Sequence, residues 1–258
     1  MKYHVVDAFA EKVFEGNPAG VCVMDKWLPD GIMQNIAAEN NLSETAFAVK
    51  EQDFYRLRWF TPANEIDLCG HATLGTAFVI ANYYQTDLQK INFETLSGRL
   101  TVEKKDDLYE MDFPSRMPEN FKLTQQMIEA LGCKPEETLL SRDLMFVLKS
   151  EEAVETLTPD FAKLLELSDG LGVIVTAKGK EYDFVSRFFC PKLQINEDPV
   201  TGSSHSTLIP YWAKQLKQNK LTARQLSKRG GTLYCEHTGE RVKIAGKAVL
   251  YAKSELYI

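Results

Sequence analysis

The chain has 258 residues, a net charge of −6 and an apolar content of 44%, which is ordinary for a globular protein large enough for two domains. Its lysines and arginines are scattered, so it lacks the basic face expected of a nucleic-acid partner and the polybasic patch expected at a membrane surface. The densest basic cluster, Arg224 with Lys228 and Arg229, is expected at a helix end, where cations favour the helix dipole.

The cysteines argue for a reducing compartment. There are five of them, an odd number, and no two form a C-x-x-C pair. That pattern disfavours a disulfide framework and a zinc site, so reduced thiols in the cytoplasm and no metal are expected. No run approaches the roughly 18 apolar residues of a membrane span.

Apolar periodicity and turn signals predict the elements of the first half. Predicted strands cover 3–9, 19–24, 45–49, 54–60, 91–95, 99–104 and 108–113. Predicted helices cover 29–40 and 70–84. The second of these helices has small or apolar residues on nearly every side, which is typical of a buried helix.

The second half repeats this pattern with changes. Predicted helices cover 123–131, 159–167 and 202–216, and Pro210 is expected in the first turns of the last one or at a kink in it. Predicted strands cover 144–149, 171–177, 182–190, 232–236, 240–245, 248–252 and 254–257.

Three patterns recur in the same order about half the chain apart. Arg58-Trp59-Phe60-Thr61-Pro62 returns as Arg187-Phe188-Phe189-Cys190-Pro191, at an offset of 129 residues. A helix-opening glycine and a Gly-x-Leu-x-x-Glu strand entry return at offsets of 132 and 133. Ordered repeats of this kind indicate two related halves.

The duplication predicts an α+β fold of two pseudo-symmetric lobes, 1–117 and 118–258. Each lobe is expected to be a mostly antiparallel β-barrel or roll around its central helix. The strand at 253–258 could belong to either lobe, because it could cross back and complete the first one. The cleft between two such lobes is the natural place for a shared site.

Both central helices begin at a glycine, Gly70 and Gly202, where a ligand can approach the backbone closely. Free N–H groups and the positive end of the dipole favour a carboxylate or phosphate there. Two such helix starts facing each other would hold one small anion. For a single helix, small residues that serve packing are the alternative explanation.

Three titratable residues stand out near these helix starts. His71 lies in the first turn of the first helix, and Asp198 precedes Gly202 by four residues. Glu44 lies in a short polar segment bracketed by apolar residues, where it could act as a general acid or base. The alternatives are that Asp198 serves a turn or a cap and that Glu44 is a solvated residue at a strand entry.

Several ordered blocks resemble the phenazine-biosynthesis PhzF-like family. These are Asp7-x-Phe9, Gly16-Asn17-Pro18-Ala19, Leu42-Ser43-Glu44-Thr45-Ala46-Phe47, Arg58-Trp59-Phe60-Thr61-Pro62, Glu65-Ile66-Asp67-Leu68-Cys69-Gly70-His71-Ala72-Thr73-Leu74 and Glu197-Asp198-Pro199-Val200-Thr201-Gly202-Ser203. The resemblance implies the diaminopimelate-epimerase fold and an isomerase without metal or organic cofactor. A homodimer is plausible for that fold.

The resemblance also implies roles for individual residues. Glu44 corresponds to the residue that shuttles the proton, and His71 and Asp198 correspond to residues that assist it or bind the substrate. The groups that hold the substrate correspond to Gly70, Ala72, Thr201, Gly202 and Ser203. We therefore expect an isomerase that shifts a proton on a small carboxylate-bearing metabolite.

Two alternative functions are also consistent with the sequence. Related epimerases and racemases use two opposed thiols, but this chain has Cys69 before Gly70 and Thr201 before Gly202. A hydroxyl is far too weakly acidic to replace a thiolate, so such a racemase would need an oxygen partner for Cys69. Cys190 is expected to be buried and inert. The other rival is a non-catalytic metabolite-binding or interaction protein.

Overall fold

A computed structural model describes all residues, Met1–Ile258, and shows a mixed fold of mostly antiparallel strands with few helices. None of the helices combines the length and the apolar composition needed to cross a bilayer. Through the first half, the elements are β1 (Lys2–Ala8), β2 (Asn17–Met24), α1 (Asp30–Asn40), β3 (Glu44–Glu51), β4 (Phe54–Phe60), β5 (Glu65–Ile66), α2 (Gly70–Tyr83), β6 (Lys90–Thr95), β7 (Gly98–Lys105) and β8 (Leu108–Pro114).

The remaining elements complete the chain. They are β9 (Glu119–Asn120), α3 (Gln125–Leu131), β10 (Glu137–Leu140), β11 (Leu144–Val147), α4 (Glu151–Glu155), α5 (Phe161–Glu166), β12 (Val173–Lys178), β13 (Phe184–Cys190), β14 (Ile195–Asp198), α6 (Gly202–Leu216), β15 (Lys220–Gln225), β16 (Gly231–His237), β17 (Arg241–Gly246) and β18 (Ala248–Glu255).

The chain divides into two compact units. The first contains Met1–Asp112 together with Ala245–Ile258, and the second contains Phe113–Ile244. The C-terminal segment of the first unit, Ala245–Ile258, is thus longer than the strand at 253–258 that could have completed the first lobe. The lobes themselves, 1–117 and 118–258, stay a prediction.

In the first unit, β1 pairs antiparallel with β2 and with β18. Strand β2 then pairs in parallel with β3, and β3 pairs antiparallel with β4. Strand β4 contacts β5 antiparallel and β6 in parallel, and the hairpin partners β6 and β7 lead to β8.

The second unit has the same series of pairings. Strand β10 pairs antiparallel with β9 and β11, and β11 pairs in parallel with β12. Strand β13 pairs antiparallel with β12 and β14 and in parallel with β15, which pairs antiparallel with β16. This recurrence is the structural counterpart of the repeated sequence patterns. Closure of each set of strands into a barrel stays a prediction.

Helix α2 is buried, as its composition predicts. It packs against β1, β2, β3, β7 and β18. Its buried face carries two threonines, and each hydroxyl donates to the carbonyl four residues earlier: Thr73 to Cys69 at 2.6 Å and Thr76 to Ala72 at 2.7 Å. These bonds satisfy polar groups that would otherwise be costly in an apolar surrounding.

Pro210 lies inside α6, the central helix of the second unit, with helix continuing on both sides. Proline has no N–H, so the carbonyl of Ser206, four residues earlier, loses its helical donor. The backbone N–H of Arg116 donates to that carbonyl at 2.9 Å. The segment after β8 therefore replaces the hydrogen bond that Pro210 cannot make.

Two sequence expectations are wrong. The basic cluster does not lie at a helix end: Arg224 is part of β15, and Lys228 and Arg229 follow it in a turn. No separate strand covers 254–257, because β18 runs through to Glu255. The short elements β5, β9, β10, α4 and β14 were not predicted, and neither was β15.

Two buried glycines give a matched test of the packing. A Cβ at Gly75 in α2 would lie 3.6 Å from that of Val6, an ordinary contact, so Gly75→Ala is expected to stabilise by about 0.5–1 kcal/mol through helix propensity. A Cβ at Gly20 in β2 would lie 2.3 Å from the Tyr3 hydroxyl and 2.8 Å from that of Thr45. Gly20→Ala is expected to destabilise by about 1–3 kcal/mol. Urea unfolding measures the change in unfolding free energy of each variant. Changes of the same sign in the two variants would contradict this packing.

Candidate functional site

A paired arginine and glutamate brace the hairpin before each central helix. Arg58 on β4 donates from Nε and Nη2 to the two carboxylate oxygens of Glu65 on β5, both at 2.7 Å. Its guanidinium carbon lies 5.1 Å from the centroid of the Phe60 ring. This bidentate contact raises the pKa of Arg58 above its usual range and keeps the hairpin closed where it turns into α2.

The second copy of the motif makes the same contacts. Arg187 on β13 donates to both oxygens of Glu197 on β14, at 2.7 and 2.9 Å, and lies 4.8 Å from the centroid of Phe189. The repeated R-x-F sequence thus encodes a cation over an aromatic ring and a charged pair across a hairpin. The pair is followed in each unit by the glycine that opens the central helix.

Glu44 and His71 come together in the first unit. Glu44 is the first residue of β3, and His71 is the second residue of α2. Oε2 of Glu44 lies 3.0 Å from Nε2 of His71, and the two side chains are only 12% and 7% exposed. A carboxylate and an imidazole that close, and largely shielded from water, can exchange or share a proton.

The other ring nitrogen of His71 faces two more polar groups. Nδ1 lies 3.2 Å from Nδ2 of Asn17 and 3.5 Å from Sγ of Cys69. Asn17 begins β2 and is fully buried. We call Asn17, Glu44, Cys69 and His71 the α2 cluster.

The charges of the α2 cluster follow from burial and proximity. Burial opposes a charge on His71, but the Glu44 carboxylate, together with the Cys69 sulfur as a hydrogen-bond acceptor, outweighs it and raises the pKa of the ring well above its ordinary value. Burial, with a smaller contribution from Glu44, raises the pKa of the Cys69 thiol to about 11. Near neutrality the thiol is therefore protonated, and Glu44 is the negative group that the imidazole faces.

Glu44, Cys69 and His71 place one possible ligand atom each within 4.8 Å of one another, so a metal ion has to be considered. The donor chemistry disfavours it. Metal binding requires a thiolate and a neutral imidazole, whereas this environment favours a thiol and a protonated ring. The sulfur and the carboxylate also approach different ring nitrogens, so one ion could not use both short contacts.

The start of α2 has no side-chain cap, because Cys69 at the N-cap makes no capping hydrogen bond. The first N–H groups of α2, at Gly70 and His71, have no partner within the helix, which is the usual condition for binding an anion.

Around the start of α6, Asp198, Thr201 and Gln225 form a second group, here called the α6 cluster. The Thr201 hydroxyl donates to Oδ2 of Asp198. Gln225 accepts from the backbone N–H of Thr201 at 2.9 Å and donates to the backbone carbonyl of Asp198 at 2.7 Å. The Asp198 carboxylate is thus held in a fixed orientation just before Gly202.

A cation also reaches the start of α6. Nη2 of Arg142 donates to the hydroxyl of Ser203 at 3.0 Å and to Oδ2 of Asp143 at 2.7 Å. Asp143 is fully buried, and its other oxygen accepts from the N–H of Gly172 at 3.0 Å. Arg142 therefore adds positive charge beside Ser203, which a carboxylate-bearing ligand of α6 could use.

The structure brings some of the predicted site residues together. Glu44, His71 and Gly70 lie around the start of α2, with Ala72 buried in its first turn. Asp198, Thr201, Gly202 and Ser203 lie around the start of α6. Their roles stay predictions.

Sequence reasoning missed three of the neighbours: Asn17, Arg142 and Gln225. Asn17 entered the sequence analysis only within the block Gly16-Asn17-Pro18-Ala19 of the family resemblance, with no role of its own. Nothing in the local sequence of Arg142 or Gln225 marks them, because their contacts are with residues distant in the chain.

The buried contact of Arg142 makes a stability prediction. Arg142→Met leaves the Asp143 carboxylate without its cation and is expected to cost about 3 kcal/mol, since breaking a buried ion pair from one side leaves a desolvated charge. Adding Asp143→Asn to that variant removes the charge and should recover a large part of the loss. Urea unfolding of the wild type, these two variants and Asp143→Asn alone gives the coupling energy, and additive losses would contradict the pair.

A second stability prediction concerns acid. His205 in α6 is fully buried, and burial lowers its pKa to about 4 from 6.5. The unfolded chain then takes up a proton that the folded chain refuses, so this stabilisation is complete above about pH 6.5 and is lost as the pH falls toward 4. The loss amounts to about 3 kcal/mol.

His205→Phe is expected to flatten the fall in unfolding free energy between pH 6.5 and pH 4, measured by urea titration at several pH values. His237→Phe, at a partly exposed strand position, is the control and should leave that slope in place. An unchanged slope in His205→Phe would contradict the assignment.

Comparison with known proteins shows the family of the chain. Residues 6–254 match the family model described as phenazine biosynthesis-like protein. A Pseudomonas aeruginosa protein named as an uncharacterized isomerase is 50% identical over 99% of this chain and 98% of its own length. Kinship with relatives that are named isomerases defines an isomerase. The chain belongs to the phenazine biosynthesis-like family.

Solved structures are similar over the same length. A phenazine biosynthesis protein of the PhzF family from Enterococcus faecalis has a TM-score of 0.98 and 58% identity, covering 100% of this chain and 99% of that one. A probable proline racemase from Agrobacterium radiobacter has a TM-score of 0.66 at 8% identity, covering 100% and 93%, which shows a shared fold. The predicted family is confirmed, and so is an epimerase-like fold.

Proposed function

We propose that the protein is a cofactor-independent isomerase that moves a proton on a small carboxylate-bearing metabolite. Glu44 is the base that takes the proton and the acid that returns it. The substrate carries a C–H bond made acidic by an adjacent double bond or carbonyl group. One carboxylate acting on one face gives a suprafacial shift without inversion.

The observation that carries this proposal is the 3.0 Å contact between Glu44 and His71 in a nearly dry setting. Proton transfer to carbon needs a base that is shielded from water and held in one orientation. His71 supplies a neighbouring positive charge, which stabilises the carboxylate until the proton arrives. The unpartnered N–H groups at Gly70 and His71 favour an anionic substrate near this base.

The α6 cluster is assigned to binding. Its Asp198 carboxylate, held by Thr201, suits a substrate amine or hydroxyl. Gly202 and Ser203, with Arg142 beside them, suit a second anionic group. With this function we also propose a finer architecture, in which the strands of 1–117 wrap around α2 and the strands of 118–258 wrap around α6. The proposed protein is a homodimer in the cytoplasm.

A racemase that uses Cys69 is the second candidate. Its support is the 3.5 Å contact of Sγ with the His71 ring, a geometry in which imidazole could deprotonate a thiol. The full burial of Cys69 and a thiol pKa of about 11 count against it. A non-catalytic binding protein is the third candidate, and it predicts no exchange of substrate protons.

Glu44→Gln tests the proposal, because it keeps shape and hydrogen bonding but removes the base. Small 2-oxo, 2-amino and β,γ-unsaturated carboxylates are incubated with the protein in D₂O, and proton NMR follows deuterium entering the product. The variant is expected to lose about 10²-fold or more in turnover while KM changes little. Glu39→Gln on the exposed side of α1 is the matched control and should retain full turnover.

Cys69→Ser separates the candidates. Retained turnover in Cys69→Ser with loss in Glu44→Gln supports the glutamate mechanism. The reverse pattern supports the thiol mechanism and contradicts ours. Absence of exchange for every class of carboxylate in the wild-type protein would favour the binding protein.

A further inference from the structure

Asn17 occupies its position because the turn before it admits only glycine. Gly16 has φ of +66°, and a Cβ there would lie 2.1 Å from the carbonyl oxygen of Ala8. Asn17 then pairs with Ala8 across the β1–β2 ladder and is fully buried. Its side chain approaches His71, 54 residues later in the chain.

The contact is with the ring nitrogen that does not face Glu44. Nδ2 of Asn17 lies 3.2 Å from Nδ1 of His71, and Oε2 of Glu44 lies 3.0 Å from Nε2. With the amide in this orientation, Nδ2–H donates to Nδ1 of a neutral ring, and the ring proton is on Nε2, facing Glu44. Asn17 thus sets which nitrogen carries the proton.

A protonated His71 needs the opposite partner, because Nδ1 then carries a hydrogen and requires an acceptor. Rotating the asparagine amide by half a turn brings its carbonyl oxygen to the same place. An aspartate could only accept, and an alkyl side chain could do neither. The sulfur of Cys69, 3.5 Å from Nδ1, is a weak partner for either state.

We propose that Asn17 is a positioning residue that sets the tautomer and the charge of His71 through an amide able to serve both states of the ring. The proposal rests on the proposed function for its purpose: when Glu44 gains or loses the substrate proton, His71 changes its preferred state, and Asn17 accommodates the change by presenting either its N–H donor or its carbonyl acceptor to Nδ1. Asn17 acts only through His71 and need not touch the substrate.

The groups that act on the His71 ring are few. Cys69, in its own element, and Glu44, on β3, are the titratable groups that shift its pKa, and burial acts against both. A new carboxylate at position 17 would add a second negative charge, on the Nδ1 side of the ring and at hydrogen-bond distance. An opposite charge that close typically moves a titration midpoint by about 1–3 pH units.

The test is ¹⁵N NMR of the histidine ring nitrogens in the full-length protein as a function of pH. The chain has four histidines, so His71→Gln identifies the His71 signals by their loss. At pH values above the His71 midpoint, the wild-type protein is expected to show a neutral ring with the proton on Nε2 alone. Asn17→Asp should raise the His71 midpoint by about 1–3 pH units. Asn17→Ala should give a mixture of the two neutral tautomers.

Asn92→Asp on β6 is the matched control. It adds the same charge to the first unit, and a carboxylate can still accept the hydrogen bond that the Thr101 hydroxyl donates to Asn92. The His71 signals should not move in this variant. Asn17→Ala adds no charge and carries the test alone if Asn17→Asp does not fold.

An unchanged midpoint in folded Asn17→Asp, or a single unchanged tautomer in Asn17→Ala, overturns the proposal. The readout needs no substrate and no turnover. Proton exchange that survives Glu44→Gln would contradict the isomerase proposal. A failure of the Asn17 proposal would instead be seen in the His71 spectra, so the two failures are distinguishable.

Discussion

The bidentate pair between an arginine on one strand and a glutamate on the next is the constraint on which both central helices depend. Arg58 with Glu65, and Arg187 with Glu197, close the hairpins that end a few residues before Gly70 and Gly202. Each pair is half-buried and lies over an aromatic ring, so its geometry is restricted by packing as well as by charge. Where each helix begins, and so where its free N–H groups point, follows from these hairpins.

Burial and charge oppose one another in the α2 cluster, and their balance determines its chemistry. Burial alone would discharge His71 and keep Cys69 a thiol. Cys69 does remain a thiol, since its pKa rises to about 11. His71 keeps its charge, because the neighbouring carboxylate and sulfur outweigh the effect of burial. The balance leaves a protonated thiol and a charged pair beside one helix start. It favours the glutamate over the nearby cysteine for the proposed role of proton carrier.

Much of the architecture could be predicted from the sequence, because it depends on local pattern and on repetition. The apolar composition of α2 predicted its burial, and the repeated glycines marked the two helix starts. Strand β15 was missed because its three buried positions carry only two apolar residues, Leu221 and Ala223, and the polar Gln225, so its apolar alternation is short and weak. Arg142 and Asn17 were missed as neighbours of the site because each contacts it through long-range side-chain bonding, which no local pattern records.

The pairing of β1 with β18 has a consequence for synthesis on the ribosome. The first unit needs the segment from Ala245 onward, and helix α2 packs against β18. Roughly 130 residues of the second unit must be translated in between, which takes roughly 7–26 s at ordinary elongation rates. During that interval the second unit can fold while the first waits with one side of its helix uncovered. The nascent chain is therefore expected to complete its second unit before its first.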